Sequence, residues 1–106
     1  MVHQLSSDDF EESIKSKKVH LIDVREPYEF KNGFIKGATL VPATRFDEGF
    51  EKLKVKKGDK IALYCSNGNR SDFIARKLST RGYENIYNLE MGTTEWIDYG
   101  KKLVKK

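Results

Sequence analysis

One cysteine, Cys65, closes the short apolar run Ile61-Ala62-Leu63-Tyr64 and is followed by Ser66-Asn67-Gly68-Asn69-Arg70-Ser71. The run has the length and two-sided apolarity of a buried strand. Beyond it, Ile74, Ala75 and Leu78 recur at helical spacing across residues 70–81. A loop of small polar residues around one glycine, set between a buried strand and a helix, can curl successive backbone N–H groups around a point. Such a nest binds anions. A thiol at its start gains from those amides, from the helix N-terminus and from Arg70, all of which favour the nucleophilic thiolate. The expected chemistry is covalent: Cys65 attacks, and Ser66, Asn67, Gly68, Asn69, Arg70 and Ser71 cradle the anionic sulfur or substrate. A lone cysteine is most often a small core residue, but core packing does not need glycine and arginine at fixed offsets after it.

The elements that must position this loop alternate along the chain. Ser6 can cap a helix over residues 7–17, with Asp9 three positions on and Phe10 and Ile14 at i, i+4. Residues 19–24 are short, β-branched and apolar on both faces, as a buried parallel strand is. A turn-rich stretch with Pro27, Gly33 and Gly37 follows, with a short helix at 27–31, then a strand at 38–41 halted by Pro42. Phe46, Phe50 and Leu53 mark a helix over 43–54, weakened by Gly49, and residues 57–60 form a turn. After the strand at 61–64 and the helix at 70–81, which Gly82 stops, a strand is expected at 85–89 and a last helix at 93–99. This alternation is that of an α/β domain with a parallel sheet, where ligands sit beyond the carboxyl ends of the strands. Cys65 occupies such a place.

Composition bounds the rest. At 106 residues the chain is one domain by size. Its charged fraction of 34%, and the absence of any apolar run near the ~20 residues of a membrane span, exclude a membrane protein. The net charge of +4 comes from Lys101, Lys102, Lys105 and Lys106, so residues 1–100 are neutral. The reading is a domain over 1–100 with a solvated basic tail at 101–106, and no nucleic-acid partner. The first residues lack the positive start and apolar run of a secretory signal, and one cysteine allows no intrachain disulfide; a cytoplasmic location is expected. His3 and His20 are too few and too poorly spaced with Cys65 for zinc, and no metal or cofactor is expected. Asp23 and Arg25 are expected to order the end of their strand through an ion pair or backbone hydrogen bonds. Glu26 and Glu29 fit a solvated helix turn, while Phe73, Trp96 and Tyr99 read as core or cover over the sheet.

Four segments in one order carry a resemblance to the rhodanese-like sulfurtransferases. Cys65-x-x-Gly68-x-Arg70-Ser71 resembles the family's active-site loop, and Asp23-Val24-Arg25-Glu26 its D-V-R-E signature. Gly33-Phe34-Ile35-Lys36-Gly37-Ala38 is similar to its G-H-I-x-G-A segment. Gly82-Tyr83, Asn88-Leu89-Glu90-Met91-Gly92 and Trp96 are similar to its closing stretch. Phe34 stands where the family often has histidine, and Met91 where the first glycine of a pair is usual.

The resemblance implies an α/β fold, a single rhodanese-like domain with a central, mostly parallel sheet of about five strands and helices on both faces. It also implies a thiosulfate sulfurtransferase: Cys65 takes the outer sulfur of a donor such as thiosulfate as a persulfide and passes it to cyanide or a thiol, protein thiols included. Alternatives implied by the same family are a persulfide carrier or sensor and a non-catalytic interaction domain, although the latter usually lacks the cysteine. Related phosphatases have one more residue between cysteine and arginine. Four intervene here, and the tighter cradle suits one sulfur better than a phosphoryl group.

Overall fold

The computed structural model describes residues 1–16 and 18–106. Five strands form one sheet in the order β1-β5-β4-β2-β3, parallel at every pairing: β1 (Val2–Leu5), β2 (Val19–Asp23), β3 (Thr39–Leu40), β4 (Lys60–Tyr64) and β5 (Asn85–Leu89). The helices are α1 (Ser7–Ser13), α2 (Pro27–Lys31), α3 (Phe46–Lys52), α4 (Asn69–Thr80) and α5 (Gly92–Asp98), with a 3-10 turn at Ala43–Arg45. The expected α/β sheet with helices on both faces is present.

β4 is central because its side chains are apolar on both faces. Ile61, Leu63 and Cys65 enter the core under α3 and α4, with Phe46, Phe50, Ile74 and Leu78. Ala62 and Tyr64 point to the opposite core, with Phe10 of α1 and Trp96 of α5. Cys65 therefore continues the α4 side of the strand and arrives beneath the N-terminus of that helix. α4 is long enough, and apolar enough on one face, to bury Ile74, Ala75 and Leu78 across the sheet.

Several element bounds differ from the sequence reading for identifiable reasons. β1, which periodicity does not reveal, is a half-exposed edge strand with a mixed pattern, and it gains order by pairing with β5 from Val2↔Ile86 to Leu5↔Leu89. The helix expected over 7–17 ends at Ser13, and position 17 lies outside the described residues. The strand expected at 38–41 shortens to two residues at the sheet edge. The helix expected over 43–54 begins as a 3-10 turn after Pro42 and becomes regular only at Phe46. Gly49 weakens the helix propensity of α3 but serves packing, since a Cβ there would stand 2.8 Å from Val41 Cγ1.

The C-terminal residues correct the tail expected at 101–106. Phe34 and Val104 exchange both backbone hydrogen bonds in an antiparallel bridge (2.9 and 2.8 Å), Trp96 Nε1 donates to Lys102 O (3.1 Å), and Leu103 packs on the α1/α5 core. Lys101 Nζ lies 2.8 Å from both Asp8 and Glu11 carboxylates. Chain beyond Trp96 thus folds back because the Phe34 segment offers an open backbone edge. Removing residues 103–106 deletes two backbone bonds and a partly buried leucine. It is expected to cost about 2 kcal/mol, read as a lower urea midpoint with an unchanged slope.

Of the aromatic residues expected over the sheet, only Trp96 is buried. Phe73 and Tyr99 are 66% and 60% exposed. Phe34, at the position where histidine is frequent, is buried and stacks on Phe30 with ring centroids 4.1 Å apart.

Candidate active site

The chain leaves β4 at Tyr64 and turns through Cys65–Ser71 into α4. The carbonyls of this turn face away from the sulfur. Cys65 O accepts from Thr93 N (2.9 Å), and Ser66 O accepts from both Thr94 N and Thr94 Oγ1 (3.0 Å each), so the first turn of α5 takes them up. The amides are left facing inward. Gly68 N donates to Cys65 Sγ at 3.2 Å, and Ser71 N and Ser71 Oγ approach the same atom at 3.4 Å. Two amides, a hydroxyl that Cys65 Sγ shares with Gly68 O (3.2 Å), and the N-terminus of a twelve-residue helix converge on one sulfur, an arrangement that receives negative charge.

Two glycines allow the loop to sit so close to its neighbour. Gly68 has φ +89, and a Cβ on it would fall 1.8 Å from Glu90 O. Gly92 has φ +69, and its Cβ would fall 2.3 Å from the carbonyl carbon of Ser66. Met91 lies between them with an ordinary φ of −100 and a largely exposed side chain. The turn needs glycine only at position 92, so the departure at Met91 costs it nothing.

Asn67 and Asn69 are exposed, Ser66 and Arg70 half-buried, and Cys65, Gly68 and Ser71 buried. Asn67 Oδ1 accepts from Asn69 N (3.0 Å) and lies 3.9 Å from Cys65 Sγ, closing the loop on itself. Cys65 has no exposed surface. A sulfur buried to this degree can be met only by a small, terminal atom of another molecule. Beside the loop, Asn69, Arg70, Phe73, Ile74, Lys77, Ala43 and Thr44 line a groove of about 470 Å³. The exposed ring of Phe73, unused by the core, belongs to this groove.

Arg70 is not a free cation. Its guanidinium grips Glu29 of α2 through both nitrogens, Nη1 to Oε1 at 2.8 Å and Nη2 to Oε2 at 3.0 Å, and Ser66 Oγ completes the cluster, donating to Glu29 Oε2 at 2.9 Å. Glu29 is therefore a site residue rather than part of a solvated turn. Its spacing from Glu26 carries the only local signal: the two form a capping box at the start of α2, in which Glu26 N donates to Glu29 Oε1 at 3.0 Å. Long-range partners such as Arg70, and the roles of Thr93 and Thr94, leave no trace in spacing.

The hydrogen bond from Arg70, foremost, holds Glu29 well below the usual carboxylate range, at about 2, while burial opposes it; the same pair raises Arg70. A carboxylate lowered in the folded state contributes stability that is complete above its unfolded value, near 4.5, and is lost as the pH falls through about 2. Urea unfolding of the wild type and Glu29→Gln is expected to show a less stable variant at neutral pH, with the difference narrowing between pH 4.5 and 2.

Asp23 and Arg25 form a different structure. Both are buried, with Arg25 Nε bonding both Asp23 oxygens at 3.0 and 3.1 Å, Nη2 reaching Asp23 Oδ2 at 2.7 Å and Gly33 O at 2.6 Å. They tie the end of β2 to the Gly33 segment. Among the described residues none of their hydrogen bonds reaches the Cys65 loop. Nor, among those residues, do three His, Cys, Asp or Glu side chains gather closely enough to hold a metal ion. Among the described residues no helix is long and apolar enough to cross a membrane.

Comparison with known proteins places this geometry. The profile of the rhodanese-like domain matches residues 6–99. A rhodanese-related protein from Thermoplasma volcanium superposes with a TM-score of 0.84 at 31% identity, covering 98% of this chain and 99% of its own. A mitochondrial protein of Schizosaccharomyces pombe that carries the provisional name thiosulfate sulfurtransferase is 33% identical over 103 residues, 85% of this chain and 69% of its own length. A tRNA uridine(34) hydroxylase from Hamiltonella defensa is 32% identical over 102 residues, 92% of this chain. The chain spans 29% of that hydroxylase's length, and 62% and 48% of two further curated relatives, from Bacillus subtilis and Synechocystis.

Proposed function

From its membership of the rhodanese-like domain family, a family whose relatives include sulfurtransferases and tRNA uridine hydroxylases, we propose that this chain is a sulfurtransferase working through Cys65. The observation that carries the reading is the convergence of Gly68 N, Ser71 N and Ser71 Oγ on Cys65 Sγ. In the first step the Cys65 thiolate forms a bond to the outer sulfur of thiosulfate. The S–S bond of the donor breaks, and sulfite leaves with its electron pair. The persulfide that remains is an anion one sulfur longer, held by the inward-facing amides. In the second step cyanide or a thiolate attacks that outer sulfur, leaving as thiocyanate or as the acceptor's persulfide and regenerating the Cys65 thiolate. Two displacements through a covalent intermediate give ping-pong kinetics.

Burial of Cys65 supports a donor whose reacting sulfur is terminal, and thiosulfate offers one. No resident metal or cofactor takes part in either step, and the surroundings that keep the thiol reduced are those of a cytoplasm. The acceptor approaches over the groove lined by Phe73 and Lys77.

Intact mass after incubation with thiosulfate tests the reading. One added sulfur, removed by a thiol reductant, supports it; no adduct with thiosulfate or any other sulfane donor overturns it. Turnover with cyanide compared against transfer to a protein thiol then separates an enzyme for small acceptors from a persulfide carrier. The likeness to tRNA uridine hydroxylases favours one second reading, a contribution to uridine modification. Formation of modified uridine in tRNA incubated with the protein would support it.

A further inference from the structure

The Glu29–Arg70 pair brings no net charge of its own to the mouth of the Cys65 loop. Both terminal nitrogens of Arg70 are committed to the two Glu29 oxygens, and Arg70 Nη2 also reaches Ser66 Oγ at 3.2 Å, so the end-on fork of the guanidinium is taken and is not open to a donor. Glu29 stays ionised throughout the neutral range, and its side chain is only 18% exposed against 37% for Arg70. A sulfonate head arriving here meets an arginine whose fork already holds a carboxylate.

We propose, resting on the sulfur-transfer reading above, that Glu29 sets donor selectivity: by occupying Arg70 it disfavours doubly charged sulfane donors relative to singly charged ones. Glu29 touches Ser66 and Arg70 and not the reacting sulfur, so it is a positioning and specificity residue. Its carboxylate withholds the planar fork that otherwise matches a sulfonate bidentately. It also adds a charge that every anionic donor feels in proportion to its own.

Glu29→Gln isolates the charge, because glutamine at this position of α2 keeps the bond that closes the capping box. The reaction to follow is formation of the Cys65 persulfide from thiosulfate, a dianion that releases sulfite, and from methanethiosulfonate, a monoanion that releases methanesulfinate. Each transfers one neutral sulfur atom to the thiolate and leaves with the electron pair of the broken bond. At the moderate dielectric of a half-buried site, removing one charge is expected to raise the apparent second-order rate with thiosulfate about tenfold and with methanethiosulfonate about threefold. The gain with thiosulfate should shrink as salt is added. The wild-type thiosulfate rate is expected to fall less steeply with ionic strength than that of Glu29→Gln, because Arg70 is already neutralised.

Equal changes for the two donors, or a uniform fall in Glu29→Gln, would assign Glu29 a purely structural role and overturn the proposal. So would a loss of the thiosulfate rate with salt as steep in the wild type as in the variant. Failure of the wild type to gain sulfur from either donor would instead remove the sulfur-transfer reading itself, and the two failures are told apart by that control.

Discussion

Cys65→Ser abolishes persulfide formation and lowers sulfur transfer by about a thousandfold or more, the scale on which loss of a covalent nucleophile acts. The substitution is nearly isosteric, and the three donors that face Sγ can bond a hydroxyl as well, so the cradle stays formed. What changes is the chemistry of the atom: a serine hydroxyl is neutral at neutral pH and cannot become a persulfide. Stability should shift by no more than about 1 kcal/mol, since cysteine packs here as a small apolar residue. Intact mass and urea unfolding, measured together, check both halves. A serine variant that still takes up sulfur would remove Cys65 from the mechanism.

Gly68→Ala inactivates by a different route. The position has φ +89, where an L side chain costs about 1–2 kcal/mol. The new methyl would also lie 1.8 Å from Glu90 O and 2.7 Å from Glu90 C. An alanine Cβ has no rotamer that escapes, and what it meets is backbone, so either the 65–71 loop or the turn after β5 must move. Gly68 N then loses its aim at Cys65 Sγ, and α4 loses its entry. Destabilisation of about 3 kcal/mol and a loss of persulfide formation of about a hundredfold are expected. Gly58→Ala is the control, because nothing lies within 4 Å of its Cβ position and its φ is not positive; urea unfolding should find it unchanged within about 0.5 kcal/mol.

The parts of this molecule that were legible in its sequence are those encoded locally. β2, β4 and β5 are short apolar runs, α4 repeats Ile74, Ala75 and Leu78 at helical spacing, and the Cys65 loop carries its own glycine and polar residues. The inward-facing amides at Gly68 and Ser71 follow from that loop's composition. What escaped notice depends on partners remote in the chain. Glu29 looks like any exposed helix glutamate until Arg70, 41 residues away, is placed against it. Val2–Leu5 has no strand pattern of its own and is recruited by β5. The lysine-rich end reads as solvated until Phe34 offers Val104 a backbone edge. Phe73 errs in the other direction: its apolarity suggests a core, while its position on α4 turns it toward the groove.

The uptake of the loop carbonyls by Thr93 and Thr94 has a bearing on how the site comes into being. Ser66 and Thr94 are 28 positions apart, and β5, which lies between them in sequence, must first insert between β4 and β1. The closure of so long a segment is entropically costly and precedes the contacts that reward it. A chain folded only through α4 owns the cysteine, the glycine and the helix but nothing to draw the carbonyls outward. The outward aim of the Cys65 and Ser66 carbonyls is thus a feature of the finished sheet, available only once β5 and α5 are in place.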